Sequence, residues 1–386
     1  MRIAFVYDAV YPWVKGGAEK RIYELGKRLL KKGHEVHVFG IKWWEGPDVI
    51  EHEGMILHGV CKSRELYVEG KRSIAVAIIF SLKLFNPLVR EKFDVIDVSV
   101  FPYFSCFTVR LVSLFNKSPA VYTWHEVWDD YWYEYMGKAG FFGKMVEIAV
   151  SKISGNNIAV SGWTQKRLHA LGVPEKRISV VPNGIDLQEI CKLELEVGKH
   201  LVGSAGKVYD IIFAGRLIKD KHVDVLLRTV SLLKADHLGI ACCIVGDGPE
   251  KKDLMKLSNE MGICKNVEFA GFQEYNALIR KLQASKVFVL PSSREGFGMV
   301  VIEAFACGVP VVTVKERYNA SQGLVEDGVD GFTVPLDASS IAEAVSKILQ
   351  GGQCYENMSK AASQKAKDYD WNEALLKLNN IYEAFE

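Results

Sequence analysis

No Cys-x-x-Cys pair occurs among the eight cysteines of this 386-residue sequence. Several of them sit in apolar runs, as in Ile240 to Val245. That pattern excludes a zinc ribbon and a disulfide frame, and it reads as buried thiols in a reducing compartment. Proline is scarce, at 11 residues, and the 33 glycines follow no repeat, so collagen-like and low-complexity chains are excluded. Long apolar runs are missing too. The longest, Ile74 to Phe80, is too short to cross roughly 30 Å of hydrocarbon. The opening residues, Met1-Arg2-Ile3-Ala4-Phe5-Val6-Tyr7-Asp8, have neither the length nor the cleavage pattern of a signal peptide. With 48 basic and 47 acidic side chains, the net charge of +1 excludes nucleic acid held by bulk attraction. The expected place is the cytoplasm, with at most a peripheral hold on the inner face of a membrane.

What the sequence does have is alternation. Short β-rich apolar runs, Ile3–Tyr7, Val36–Phe39, Val95–Val98, Ala120–Thr123, Ile158–Val160 and Ile178–Val181, are separated by amphipathic helical stretches. A second series follows at Asp210–Ala214, Ile240–Val245, Val267–Ala270, Val287–Leu290, Val311–Val314 and Phe332–Val334. Buried strands alternating with helices predict parallel sheets covered on both faces. The reading is an α/β protein of two doubly wound, Rossmann-like domains facing a cleft, with the linker at Leu187 to Tyr209. The first domain is expected over 1–190, joined by a final helix at 371–386, and the second over 205–365. Residues 1–186 carry 25 basic and 20 acidic side chains, whereas the remainder nets −4, a weak hint that the first half meets something anionic.

The first predicted helix, 17–32, places Ala18, Ile22, Leu25 and Leu29 on one side. Lys20, Arg21, Lys27, Arg28, Lys31 and Lys32 share the other, either as a solvated face or as one that leans on anionic lipid headgroups. Its start, Gly16-Gly17 after the first strand, is a strand-to-helix turn that lets backbone N–H groups approach an anion or sugar. Neither G-x-G-x-x-G at this turn nor G-x-x-x-x-G-K-[ST] anywhere is present, so the dinucleotide fingerprint and the P-loop are excluded.

The second series opens on Gly215-Arg216, with Lys221 beyond, at the carboxyl end of its first strand. A guanidinium fork and an ammonium suit a diphosphate there. Gly246 and Gly248 form a turn after the next strand, and Phe272 follows another, where the stretch is read as presenting either backbone groups or an aromatic face to a nucleobase. The sharpest cluster is Glu295-Gly296-Phe297-Gly298 through Glu303. A carboxylate at Glu303, among Val301, Ile302, Ala304 and Phe305, is costly unless hydrogen-bonded, either by a salt-bridge partner or by paired sugar hydroxyls. The aromatic, acidic stretch Trp128 to Tyr135 reads as an acceptor wall built on Trp128, Tyr131 and Trp132, or as a lid that binds a partner.

Taken in order, these residues resemble the family 4 retaining glycosyltransferases of GT-B architecture. The resemblance rests on Gly16-Gly17-Ala18-Glu19, Thr123-Trp124-His125-Glu126, Val181-Pro182-Asn183-Gly184-Ile185-Asp186, Gly215-Arg216 with Lys221, Gly246-Asp247-Gly248-Pro249, and Glu295 with Glu303. It implies a nucleotide diphosphate sugar as donor and a glycan, lipid-linked or small hydroxyl acceptor. It also implies no cofactor and no required metal; the single D-x-D, Asp368-Tyr369-Asp370, precedes the last helix instead of following an apolar strand. By the same resemblance Glu303 would hold the ribose, and Arg216 and Lys221 the diphosphate. Glu295 with the backbone of Gly296, Phe297 and Gly298 would hold the sugar, Gly16 and Gly17 would approach the donor or acceptor, and His125 would lie by the donor sugar. His222 departs from the usual Gly after the lysine, and Glu126 from the usual Asp. An epimerase on the same architecture would need no acceptor, and a non-catalytic binder would release no nucleotide.

Overall fold

The computed structural model describes residues 1–68, 71–193, 209–236 and 238–385. Most of the predicted linker, 194–208, therefore lies outside the described residues. The chain forms two compact units, Met1–Asn183 with Trp371–Glu386, and Gly184–Asp370.

In unit 1 the strands are β1 (Arg2–Val6), β2 (Glu35–Lys42), β3 (Val49–His52), β4 (Met55–Lys62), the short pair β5 (Tyr67–Val68) and β6 (Lys71–Arg72), β7 (Val95–Ser99), β8 (Ala120–Trp124), β9 (Asn156–Ala159) and β10 (Ile178–Val180). Eight of them form one sheet in the order β10-β9-β8-β7-β1-β2-β4-β3. It is parallel throughout except where β3 meets β4. The helices are α1 (Gly17–Lys31), α2 (Ile74–Val89), α3 (Phe104–Asn116), α4 (Tyr131–Met136), α5 (Gly140–Ile153) and α6 (Gly162–Ala170). Ser73 and Ser161 cap α2 and α6 by accepting hydrogen bonds from the backbone of Val76 and Thr164. The steps β4→β7, β7→β8 and β8→β9 all run one way along the sheet, so right-handed crossovers put α2, α3 and α5 on the same face. The step β1→β2 runs the other way and puts α1 on the opposite face.

Unit 2 contains β11 (Tyr209–Ala214), α7 (Val223–Asp236), β12 (Cys242–Val245), α8 (Lys251–Glu260), β13 (Val267–Gly271), α9 (Tyr275–Gln283), β14 (Ser285–Leu290), β15 (Arg294–Glu295), α10 (Met299–Ala306), β16 (Val311–Val314), β17 (Tyr318–Asn319), β18 (Gly331–Val334), α11 (Ala338–Leu349) and α12 (Gly352–Ala366). Its six-stranded parallel sheet has the order β13-β12-β11-β14-β16-β18. The chain then returns to unit 1 as α13 (Trp371–Glu383), which buries Trp371, Leu375 and Leu378. The hydroxyl of Tyr382 donates to buried Asp97 on β7 at 2.6 Å. Both α/β folds and their parallel sheets are as expected. The strands at Val49–His52 and Met55–Lys62 were not anticipated; β3 alternates between exposed and half-buried residues because it is an edge strand.

Candidate functional site

In a doubly wound sheet, ligands gather beyond the carboxyl ends of the strands. In unit 2 four neighbouring strands deliver the predicted residues to that edge: β11 leads to Gly215-Arg216, β12 to Gly246-Asp247-Gly248, β13 to Phe272 and β14 to Ser292 through Glu295. The loops are tied together by their backbones. Leu217 N donates to Asp247 O at 2.9 Å, Gly246 N to Gly271 O at 2.8 Å, and Ser293 N to Asp220 O at 2.9 Å.

Glycine is required at two of these points by close approach. A Cβ on Gly246 would lie 1.9 Å from Gly215 O, and one on Gly248 2.3 Å from Leu217 O. These glycines let the loops touch one another, a packing role that the sequence did not disclose.

Lys221 and Glu295 form an ion pair with about a sixth of each side chain exposed. They come from loops 74 residues apart in the chain. Arg216 is exposed and lies earlier on the loop that carries Lys221. His222 adopts a left-handed conformation, with φ of 46°, at the C-cap of the short turn Lys219–Lys221. Glycine is the residue that takes this conformation without cost. The departure at His222 thus leaves the left-handed geometry in place, and its Nε2 lies 3.0 Å from Ser293 Oγ, which ties the two loops again.

Gly298 caps α10 with φ of 98°. Beneath it Asn319, Ser321 and Thr313 form a fully buried polar network. Ser321 Oγ donates to Asn319 Oδ1 at 2.6 Å, and Asn319 Nδ2 to Val314 O at 2.8 Å. These three residues position the loop and were missed, because isolated Asn, Ser and Thr carry no motif. Gly296 joins the paired Glu295 to Phe297, whose ring is buried and packs edge-on against Tyr369, 6.0 Å between centroids. Only the Phe297 backbone is therefore left to face a ligand. Glu303 is buried on α10, and Phe272 is 61% exposed.

In unit 1 Gly16 and Gly17 open α1 as expected, but Gly16 is extended, and a Cβ there would meet the Glu19 carboxylate at 2.8 Å. Glu19 is buried, and burial lifts its carboxyl to about 7. A raised folded-state value means that the folded protein keeps its proton while the unfolded chain loses it. Stability from this group is therefore complete below about 4.5 and is lost as pH rises through about 7. Glu19→Gln is expected to gain on the parent by about 3 kcal/mol between pH 4 and pH 8. Urea midpoints of both proteins at the two pH values check this, and parallel curves would refute it.

Arg21 requires a correction. It was placed on the basic arc of α1, yet its guanidinium is buried and donates to Pro182 O at 2.7 Å and to Asn183 Oδ1 at 3.0 Å. Burial lowers it to about 10. It locks the Val181-Pro182-Asn183 segment to α1. Arg28 pairs with Glu24, and Lys27 lies 3.4 Å from Glu53, so two further cations of the arc are matched by acidic neighbours.

His125 follows β8, and its Nε2 lies 3.1 Å from Ser99 Oγ. Burial, with Arg21 as a second cause, lowers it to about 3, so the imidazole is neutral across the working range. Asp8, at the end of β1, is fully buried and pairs with Arg72. A single Asp after a strand gave no signal of this.

The acceptor wall is also corrected. Trp128, Tyr131 and Trp132 are buried at 4%, 9% and 7% exposure. Trp128 stacks on Phe101 at 5.0 Å and packs against Trp132 at 4.6 Å. The buried Glu147 carboxylate organises this cluster, accepting from Tyr103 Oη, Trp128 N and Asp129 N, each at 2.7 Å. Gly143 of α5 makes room for the Trp132 ring, which a Cβ would meet at 2.2 Å. Trp132 keeps an edge on an apolar cavity of ≈ 300 Å³, lined also by Arg72, Ile74, Phe101, Tyr103 and Tyr135.

Among the described residues one trio, His37, His58 and Glu91, brings metal-ligating atoms within 4.8 Å. His37 Nδ1 already meets His58 Nε2 at 2.8 Å, and Arg2 holds Glu91 at 2.9 Å. The trio reads as a hydrogen-bond network near the start of β1 and β2.

Two family profiles match in tandem: "Glycosyltransferase Family 4" over residues 15–189 and "Glycosyl transferases group 1" over residues 202–365. A D-inositol 3-phosphate glycosyltransferase of Mycobacterium marinum is 32% identical over 202 residues, which take in 50% of this chain and 42% of that one. The match thus spans less than half of that relative. In fold, the chain is similar to the sucrose-phosphate synthase of Thermosynechococcus elongatus (TM-score 0.80, 20% identity, covering 99% of this chain and 98% of that one). It is likewise similar to Anabaena HepE in complex with UDP-glucose (TM-score 0.73, 19% identity, covering all of both chains). With its two parallel-sheet units of the GT-B class, the chain belongs to the group 1, family 4 glycosyltransferases.

Proposed function

We propose that this protein moves a hexosyl group from a nucleoside diphosphate sugar to a hydroxyl acceptor, with retention at the anomeric carbon. The observation that carries the reading is the gathering of Arg216, the Lys221–Glu295 pair, Gly298 and Glu303 on one sheet edge of unit 2. Anabaena HepE, of the same fold, was solved with UDP-glucose, which supports a donor of this kind.

In this reading Lys221 exchanges Glu295 for the diphosphate, and Arg216 clamps the same group. Their attraction grows as charge accumulates on the departing diphosphate, so it lowers the barrier instead of merely tightening the ground state. With two cations in this role, the leaving group is served by side chains and not by a resident metal. Glu295, released from Lys221, accepts from sugar hydroxyls together with the backbone of Gly296, Phe297 and Gly298. Glu303 accepts from the ribose, and Phe272 lies against the base. In unit 1, neutral His125 is assigned to the donor sugar, and Gly16 and Gly17 to the donor or the acceptor. An imidazole without charge offers hydrogen bonds without repelling a developing sugar cation.

A thermal-shift panel of nucleoside diphosphates and their sugars tests the reading. A ligand at a hundred times its Kd raises stability by about 2.7 kcal/mol, and one base should stand out. A panel in which no nucleotide shifts the transition would refute the donor site.

A further inference from the structure

The outer surface of α2, α3 and α5 has a composition that a water-facing surface rarely has. Of the nineteen large apolar side chains exposed among the described residues, ten lie on these three helices, Leu82, Leu114, Phe115, Phe141 and Phe142 each being more than half exposed. The helices adjoin on one face of the unit 1 sheet: α2 packs on α3, and α3 on α5. The Phe85 and Phe115 rings meet edge to face at 6.3 Å, which joins the outer rows of α2 and α3. Scattered single apolar residues need no explanation, whereas a contiguous patch marks an interaction surface.

Charge decides what that surface fits. Neither α2 nor α3 contains an acidic residue, and the one on α5, Glu147, is buried within the unit. The charged side chains left outside are Lys83, Arg110 and Lys152, all exposed, and Lys144, half-buried and paired with Asp129 and Asp130. Apolar projections beside three exposed cations, with no acidic side chain of the three helices turned outward and Asp129 and Asp130 matched by Lys144, fit the acyl and headgroup layers of an anionic bilayer. A second copy of the same face would set cation against cation. No helix among the described residues is long and apolar enough to cross a membrane, so contact of this kind is in-plane.

We propose that unit 1 docks on anionic phospholipid membranes through the outer face of α2, α3 and α5, and not through the basic arc of α1 on the opposite face. Ile74 belongs both to this surface, at 49% exposure, and to the wall of the ≈ 300 Å³ cavity. An amphiphile drawn from the bilayer would therefore keep its apolar part covered on the way in. This last point rests on the transferase reading; the docking itself does not.

The experiment is co-sedimentation of the full chain with phosphatidylcholine vesicles, with and without phosphatidylglycerol. Binding is expected to the anionic vesicles. It should fall at least tenfold in Leu82→Ser/Phe115→Ser/Phe142→Ser and in Lys83→Glu/Arg110→Glu/Lys152→Glu, and stay unchanged in Lys31→Glu/Lys32→Glu on α1. A parent-like circular dichroism spectrum and a cooperative thermal transition show that each variant is folded, and the charge-reversal set stands in if the serine set is not. The proposal is overturned by any of three results: no binding to either vesicle, loss of binding in the α1 variant alone, or a parent dimer that the serine set makes monomeric.

Discussion

Lys221→Ala is expected to lower turnover a hundredfold or more, and Arg216→Ala to do the same, on the scale of roughly 2.7–4 kcal/mol for losing one preorganised electrostatic group. In the proposed mechanism the cations matter most as the diphosphate takes on charge, so the loss should appear in kcat more than in donor KM. Lys221→Ala carries a second penalty: Glu295 loses the partner that holds it in the unliganded protein. Lys221→Arg keeps the charge but brings a planar fork where a compact ammonium fitted, so it should recover only part of the rate. Steady-state kinetics on the three variants provide the check. Parent-like kcat in both alanine variants would remove the diphosphate assignment.

Glu147→Ala should produce the largest stability loss outside the apolar core. The carboxylate is buried and accepts three hydrogen bonds, two of them from the backbone of Trp128 and Asp129. Asp129 is held in a left-handed conformation, with φ of 47°, an arrangement that depends on such bonds. Removing the acceptor leaves buried donors without partners, at about 1–3 kcal/mol apiece, so a loss of roughly 3–5 kcal/mol is expected. Glu147→Gln retains one carbonyl oxygen and should lose less. Urea unfolding of both variants measures the difference, and a shift below about 1 kcal/mol for Glu147→Ala would contradict this account.

Much of the architecture was legible because its signal is local. A buried parallel strand is a short apolar run, and twelve such runs appear as strands; the exposed strand β3 has no such run to betray it. The residues proposed for the unit 2 site stood out for a different reason: glycines and charges at strand ends differ from the apolar runs that precede them. What could not be read was anything decided by distant packing. Arg21 has the spacing of a solvated residue and is buried, because Pro182 and Asn183 supply acceptors 161 and 162 positions away. Trp128 and Trp132 have the composition of a sugar platform and instead pack on each other, because Glu147 anchors the backbone between them and Gly143 opens a seat. Asn319, Ser321 and Thr313 act only as a set, and a set scattered through a loop has no period.

The return of α13 to unit 1 makes unit 2 an insertion within another domain's sequence. On the ribosome, all of unit 2 emerges before Trp371, while Asp97 waits in a sheet made some 285 residues earlier for the hydroxyl of Tyr382. The later-synthesised half therefore has every residue it needs before the earlier half does, and the earlier half is completed only when α13 has followed it out.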